Sequence, residues 1–226
     1  MNKKIRNAYI LMAITAILVT VTGVIFKQAF LRMLPLYFTL VIMFLNSRII
    51  RYGSLIGGLN CLLYTYTNFH YKLYASAFFT LFFSFPIQII TFVLWTKRKV
   101  GMTTKLRCMT TKQRWIVFLL SVVSCGVGVF ILDKVGGSHG LIDMTANIVG
   151  IIVTFMTMFA YVEYTYINIL NGALGIILNL AVAIEQPEMI PYLIMAVYSF
   201  ICILRAFFNA RRIYEEQQAM FLNQKR

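Results

Sequence analysis

Apolar residues run through this chain in long unbroken blocks, not in the alternation that half-buried strands would show. Eight blocks stand between short polar breaks: Tyr9–Phe26, Met33–Ile50, Tyr52–Tyr71, Leu73–Trp95, Trp115–Leu132, Leu141–Val162, Tyr164–Ile184 and Met189–Phe208. A helix needs about 20 residues to cross a hydrocarbon core about 30 Å thick. Inside that core each backbone N–H and C=O must be satisfied within its own segment, which selects helices. The pattern therefore predicts an all-α polytopic membrane protein. Lys3, Lys4 and Arg6 precede the first block, as in a secretory leader. No small-residue cleavage site closes it, however, and Lys27 and Arg32 follow at once. The expectation is an extra N-terminal transmembrane helix.

Composition agrees with this picture and charge sharpens it. Hydrophobic residues make up 60% of the 226, charged residues 12%, and the mean hydropathy is +0.79. The net charge of +14 raises the question of nucleic acid, but the placement of the cations answers it. If all eight blocks span, one side holds Lys3, Lys4, Arg6, Arg48, Arg51, the seven cations between Lys97 and Arg114, and Arg211, Arg212, Lys225 and Arg226. The other side holds Lys27, Arg32, Lys72 and Lys134. This is the positive-inside pattern, and it predicts a cytoplasmic N-terminus and C-terminus in a bacterial cell membrane. The basic loop is then a topology signal and a contact for anionic lipid, and no nucleic-acid partner is expected.

Polar residues inside apolar blocks are scarce, so their spacing carries weight. Leu59–Asn68 reads LNCLLYTYTN and Leu170–Asn179 reads LNGALGIILN. Asn60 and Asn68 are eight residues apart, as are Asn171 and Asn179, and the two pairs are offset by 111 residues. The same offset brings Gln88 onto Ser199. Blocks two to four and six to eight thus form two parallel three-helix units, joined by block five. In residues, the division is 1–32 for the extra helix, 33–98 for the first unit, and 99–136 for the basic loop and linker helix. The second unit is 137–212 and the tail 213–226. Parallel repeats of this kind hold a substrate between the halves near mid-bilayer.

A spacing of eight keeps two asparagines on one helix face, and Asn60, Tyr64 and Asn68 form an i, i+4, i+8 row. Asn168 lies one turn before Asn171 on the corresponding face. Such side chains are costly against lipid and should point into the bundle. Two uses stand open there: hydrogen-bonded attachment between helices, and a substrate pocket. Gly57, Gly58, Gly172 and Gly175 sit beside these asparagines and suit close helix packing. Pro86 in the fourth block predicts a kink, as a hinge or as a static bend.

The chemistry that is missing also narrows the function. No carboxylate or histidine falls at mid-bilayer, where proton relays would place one. No phosphate-binding loop occurs, so the chain has no ATP motor of its own. Cys61, Cys108, Cys125 and Cys202 form no metal-ligand or disulfide pattern, and no cofactor is expected. His70 and His139 fall in predicted external loops. No nucleophile, base or metal cluster suggests an enzyme.

The run YGSLIGGLNCLLYTYTNFHYKLYASAFFTLFFSFPIQIITFVLWTKRK, the segment GSHGLIDM and the stretch YVEYTYINILNG resemble the bacterial PnuC-type vitamin transporters, the nicotinamide riboside uptake family. The resemblance covers about Met33 to Arg212. It implies a three-plus-one-plus-three fold similar to the SWEET sugar transporters, a homotrimer, and facilitated diffusion with trapping of the substrate by phosphorylation. In that family two tryptophans follow the glutamate. Here Glu163 stands, but the tryptophan places fall on Thr165 and Asn168, and the following asparagine matches Asn171 with a one-residue shift. The family's glutamine falls near Thr154. Stacking surface would come from Tyr64, Tyr66, Tyr164 or Tyr166. The expected substrate-binding residues are Asn60, Tyr64, Asn68, Gln88, Thr154, Tyr164, Thr165, Asn168, Asn171 and Ser199. The expected substrate is a small vitamin or nucleoside, nicotinamide riboside first, with thiamine and a deoxynucleoside as alternatives. A vitamin-binding membrane subunit of a multi-component importer is the alternative of a different kind.

Overall fold

A computed structural model describes residues 3–70, 80–135 and 140–223. Eight α-helices stand among them, one for each apolar block. They are α1 (Lys3–Ile25), α2 (Phe30–Asn46), α3 (Tyr52–His70), α4 (Phe85–Lys97), α5 (Thr111–Val135), α6 (Gly140–Met158), α7 (Tyr164–Glu185) and α8 (Ile190–Asn223). At 1.5 Å per residue, the 23 residues of α1 reach about 34 Å, enough to cross a bilayer. Large apolar side chains such as Val24, Phe118, Ile177 and Phe208 stand exposed on the outer surface. In water that surface would be an aggregation hazard; in lipid it is the expected solvent face.

The helix boundaries depart from the apolar blocks at three places. Pro86 does not kink the middle of α4. A π-helical turn, Thr80–Ser84, leads into α4, and the proline sits in its first turn, where a backbone N–H is not needed. The first part of that block lies outside the described residues. Helix α8 runs 34 residues, well past the apolar block, because Arg211, Arg212, Glu215 and Glu216 leave the hydrocarbon region without breaking the helix. The basic loop is ordered by a short antiparallel hairpin, Lys99–Val100 with Thr103–Thr104, turned at Gly101 with φ 59°.

Six helices close a ring. Helix α2 packs on α3 and α3 on α4; α6 packs on α7 and α7 on α8. The two sets meet where α4 touches α6 and where α8 touches α2. Helix α1 lies outside the ring against α8 and α2, and α5 lies outside against α6.

Two turns in this ring share one geometry. In the α2–α3 turn, the Ile49 N–H donates to the Asn46 carbonyl at 3.0 Å and the Ile50 N–H to the Leu45 carbonyl at 3.1 Å. In the α6–α7 turn, the Ala160 N–H donates to the Thr157 carbonyl at 2.9 Å and the Tyr161 N–H to the Met156 carbonyl at 3.1 Å. Ile49 and Ala160 both take left-handed backbone angles, with φ 57° and 60°. Every member of one set lies 111 residues from its counterpart. A β-branched residue such as Ile49 at positive φ costs on the order of 1–3 kcal/mol. Its side chain is fully buried in a cluster with Trp95 and Tyr164, which offsets that strain.

Candidate functional site

The ring encloses a cavity of about 510 Å³, within the range typical of small-molecule sites. Each helix brings side chains to it at helical spacing. Helix α4 and the π turn before it present Ser84, Gln88, Thr91 and Trp95 in one stripe. Helix α6 presents Gly150, Thr154 and Thr157, and α7 presents Tyr164, Asn168 and Asn171. Asn46, Ser47 and Ser54 close the side toward α2 and α3, and Cys202, Ile203 and Ala206 that toward α8. No acidic, basic or histidine side chain stands among the described lining residues.

Five of the ten expected site residues meet here: Gln88, Thr154, Tyr164, Asn168 and Asn171. The amides of Gln88, Asn168 and Asn171 make no hydrogen bond to protein among the described residues, so their donors and acceptors face the cavity unspent. Thr154 is different, since its hydroxyl donates to the Gly150 carbonyl at 2.7 Å. Four other residues lie elsewhere. Asn60 is buried between α3 and α2, where its Nδ2 donates to Thr39 Oγ1 at 3.0 Å and to the Pro35 carbonyl at 3.2 Å. Tyr64 Oη reaches the same Thr39 hydroxyl at 3.4 Å. Both therefore attach α3 to α2, because a helix face that is polar meets a neighbouring helix before it meets the cavity. Thr165 is buried and donates to the Val162 carbonyl at 2.8 Å, which stabilises the first turn of α7. Ser199 is half-buried on α8, away from the cavity lining. The side chains of Asn68 and Asp143 fall outside the described residues.

The aromatic surface comes from a helix that the expected stacking residues did not include. Trp95 is 4% exposed and lines the cavity. Its indole N–H donates to the Thr157 carbonyl at 2.9 Å, which fixes the ring plane across the α4–α6 junction. Of the four tyrosines expected to stack, Tyr164 alone lines the cavity; Tyr66 and Tyr166 are half-exposed on the outer surface. The Ser84, Gln88, Thr91, Trp95 spacing was visible as a single stripe in the sequence and was the signal available for Trp95.

A strap of backbone and side chains closes the bundle at the Trp95 end. The Arg107 N–H donates to the Ala160 carbonyl at 2.9 Å, and the Val162 N–H returns to the Arg107 carbonyl at 2.8 Å. Gln217, buried on the tail of α8, accepts from the Leu106 N–H and donates to the Thr104 carbonyl, both at 3.0 Å. Glu163 Oε1 accepts from the Met109 N–H at 3.0 Å and from Arg114 Nη2 at 2.8 Å. Glu163 thus holds the basic loop to the α6–α7 turn and does not reach into the cavity.

A model of the nicotinamide mononucleotide transporter family matches residues 29–211. The chain belongs to this family. Its members are transporters and not enzymes. The nicotinamide riboside transporter PnuC of Neisseria mucosa is 27% identical over 130 residues. That stretch is 53% of this chain and 49% of the relative, so about half of the relative's length is matched. The crystal structure of the vitamin B3 transporter PnuC superposes with a TM-score of 0.76 at 20% identity, over 92% of this chain and 90% of that one. At that identity the likeness speaks for the fold. Family, fold and lipid-facing surface together make this a polytopic α-helical membrane protein.

Proposed function

We propose that the protein carries a small, uncharged or weakly cationic ring-bearing vitamin or nucleoside across the bacterial cell membrane, nicotinamide riboside first among candidates. The observation that carries this reading is the cavity itself: three unpaired amides, two aromatic faces and no ionisable group among the described lining residues. Amides offer directional donors and acceptors to hydroxyls or a carboxamide, and rings offer stacking surface. A phosphate would find no cation there, so the riboside fits this lining better than the mononucleotide in the family's description. The proposed site is Gln88, Thr154, Tyr164, Asn168 and Asn171, joined by Trp95.

The two three-helix units, α2–α4 and α6–α8, are read as parallel repeats joined by α5, with α1 as an extra helix. The twin turns at Ile49 and Ala160 and the two matching junctions of the ring support that reading. The cation distribution supports cytoplasmic termini. With no mid-bilayer carboxylate in the lining and no nucleotide-binding loop, transport runs down the gradient, and phosphorylation inside traps the substrate. The homotrimer rests on the family resemblance.

The test is uptake of labelled nicotinamide riboside by liposomes holding only this chain, without ATP. Saturable entry supports the reading. Binding without flux until a partner ATPase is added would replace it with an importer subunit. Saturable entry of thiamine or a deoxynucleoside, and not of the riboside, would keep the mechanism and change the substrate.

A further inference from the structure

We propose that Gly150 determines which of two equivalent asparagines faces the substrate, by withholding from Asn171 the hydroxyl that captures Asn60. This rests on the cavity being the substrate site. Asn60 and Asn171 are related by the 111-residue offset that also relates the twin turns, and the same offset takes Thr39 onto Gly150. In the first unit Thr39 donates its own proton to the Pro35 carbonyl at 2.8 Å and accepts from Asn60 Nδ2 at 3.0 Å. Asn60 is thereby held against α2, 4% exposed. In the second unit α6 carries no side chain at the matching place. A Cβ built on Gly150 would lie 3.8 Å from both Nδ2 and Oδ1 of Asn171. The side chains are therefore neighbours across the α6–α7 contact just as Thr39 and Asn60 are across α2–α3. Only the acceptor is missing, and Asn171 is left with donor and acceptor both directed to the cavity.

A glycine in the interior of a helix weakens that helix relative to alanine. At position 150 no close approach demands it, since 3.8 Å is ordinary contact distance for an added methyl. What glycine supplies there is an unoccupied amide. The inference concerns positioning: Gly150 need not touch the substrate. The group it reserves Asn171 for is one that presents a donor and an acceptor side by side, as a carboxamide or a pair of hydroxyls does.

The experiment uses four single variants of the full chain in liposomes, Gly150→Thr, Gly150→Ser, Gly150→Val and Gly150→Ala, with Asn171→Ala as reference. Threonine and valine have one shape and differ in the hydroxyl. The expected result is a KM for nicotinamide riboside about tenfold higher in the threonine variant than in the valine variant, as loss of one ligand hydrogen bond gives. Maximal rate should be unchanged between them, and thermal midpoint higher for threonine. Serine should group with threonine and alanine with valine. Equal KM in the threonine and valine variants, with Asn171→Ala impaired, overturns the capture idea and leaves the site in place. An Asn171→Ala variant with wild-type KM overturns the site reading itself, and the role of Gly150 with it.

Discussion

Asn60 and Asn171 stand at corresponding points of two similar halves, each on the middle helix of its unit, and their surroundings differ in one side chain. Asn60 meets Thr39 and the Pro35 carbonyl and is consumed in holding α3 to α2. Asn171 meets Gly150 and makes no protein hydrogen bond among the described residues. A second pair behaves in the same way. Asn46 sits against Gly53 in the α2–α3 turn, where a Cβ on the glycine would fall 2.2 Å from Asn46 Oδ1. At the matching places of the α6–α7 turn stand Thr157 and Tyr164, so the ring takes up space that the glycine leaves to the amide. The backbone frame is repeated and the side chains on it are not. A polar residue inside a membrane bundle is therefore not a site marker by itself. Its neighbours decide whether it fastens helices or meets substrate.

That contrast can be broken by substitution. The largest effect is expected from Asn168→Ala combined with Asn171→Ala. Loss of two ligand hydrogen bonds should raise KM for riboside uptake about 100-fold, with the thermal midpoint close to wild type. Trp95→Phe comes next. It keeps a ring but loses the bond to the Thr157 carbonyl, so thermal unfolding should report a loss of about 1 kcal/mol and uptake should fall several-fold. Asn60→Ala inverts the pattern. A stability loss on the order of 1 kcal/mol should appear in the same unfolding measurement, with KM within about twofold of wild type. A rise in KM matching that of Asn171→Ala would erase the distinction between the halves. The smallest effect is that of pH. With no carboxylate, histidine, lysine or arginine among the described lining residues, initial uptake rates should stay nearly flat between about pH 6 and 8, where histidine would titrate. A steep profile would point to a proton-coupled group.

Bilayer thickness made the helices legible, because it imposes one length on every apolar segment. All eight blocks became helices, and the 111-residue offset first seen in the asparagines recurs in turn geometry at Ile49 and Ala160. The site was legible only in part. Helical periodicity placed Asn60 and Tyr64 on a common face correctly, yet it does not say what that face touches, and Thr39 lies on a different helix. Trp95 lies near the end of α4, where a tryptophan also suits the lipid interface, and that use competes with a cavity role. Asn46, Ser47 and Ser54 flank a turn, where polar residues are ordinary. The strap held by Gln217 and Glu163 joins segments more than 50 residues apart, and no local pattern announces it.

Equilibrium binding of tritiated nicotinamide riboside to purified wild-type, Asn60→Ala and Asn171→Ala protein tests the central claim most directly. Saturable wild-type binding, weakened about tenfold in Asn171→Ala and retained in Asn60→Ala, is the predicted result. Binding that survives Asn171→Ala intact, or that both substitutions weaken equally, would contradict it.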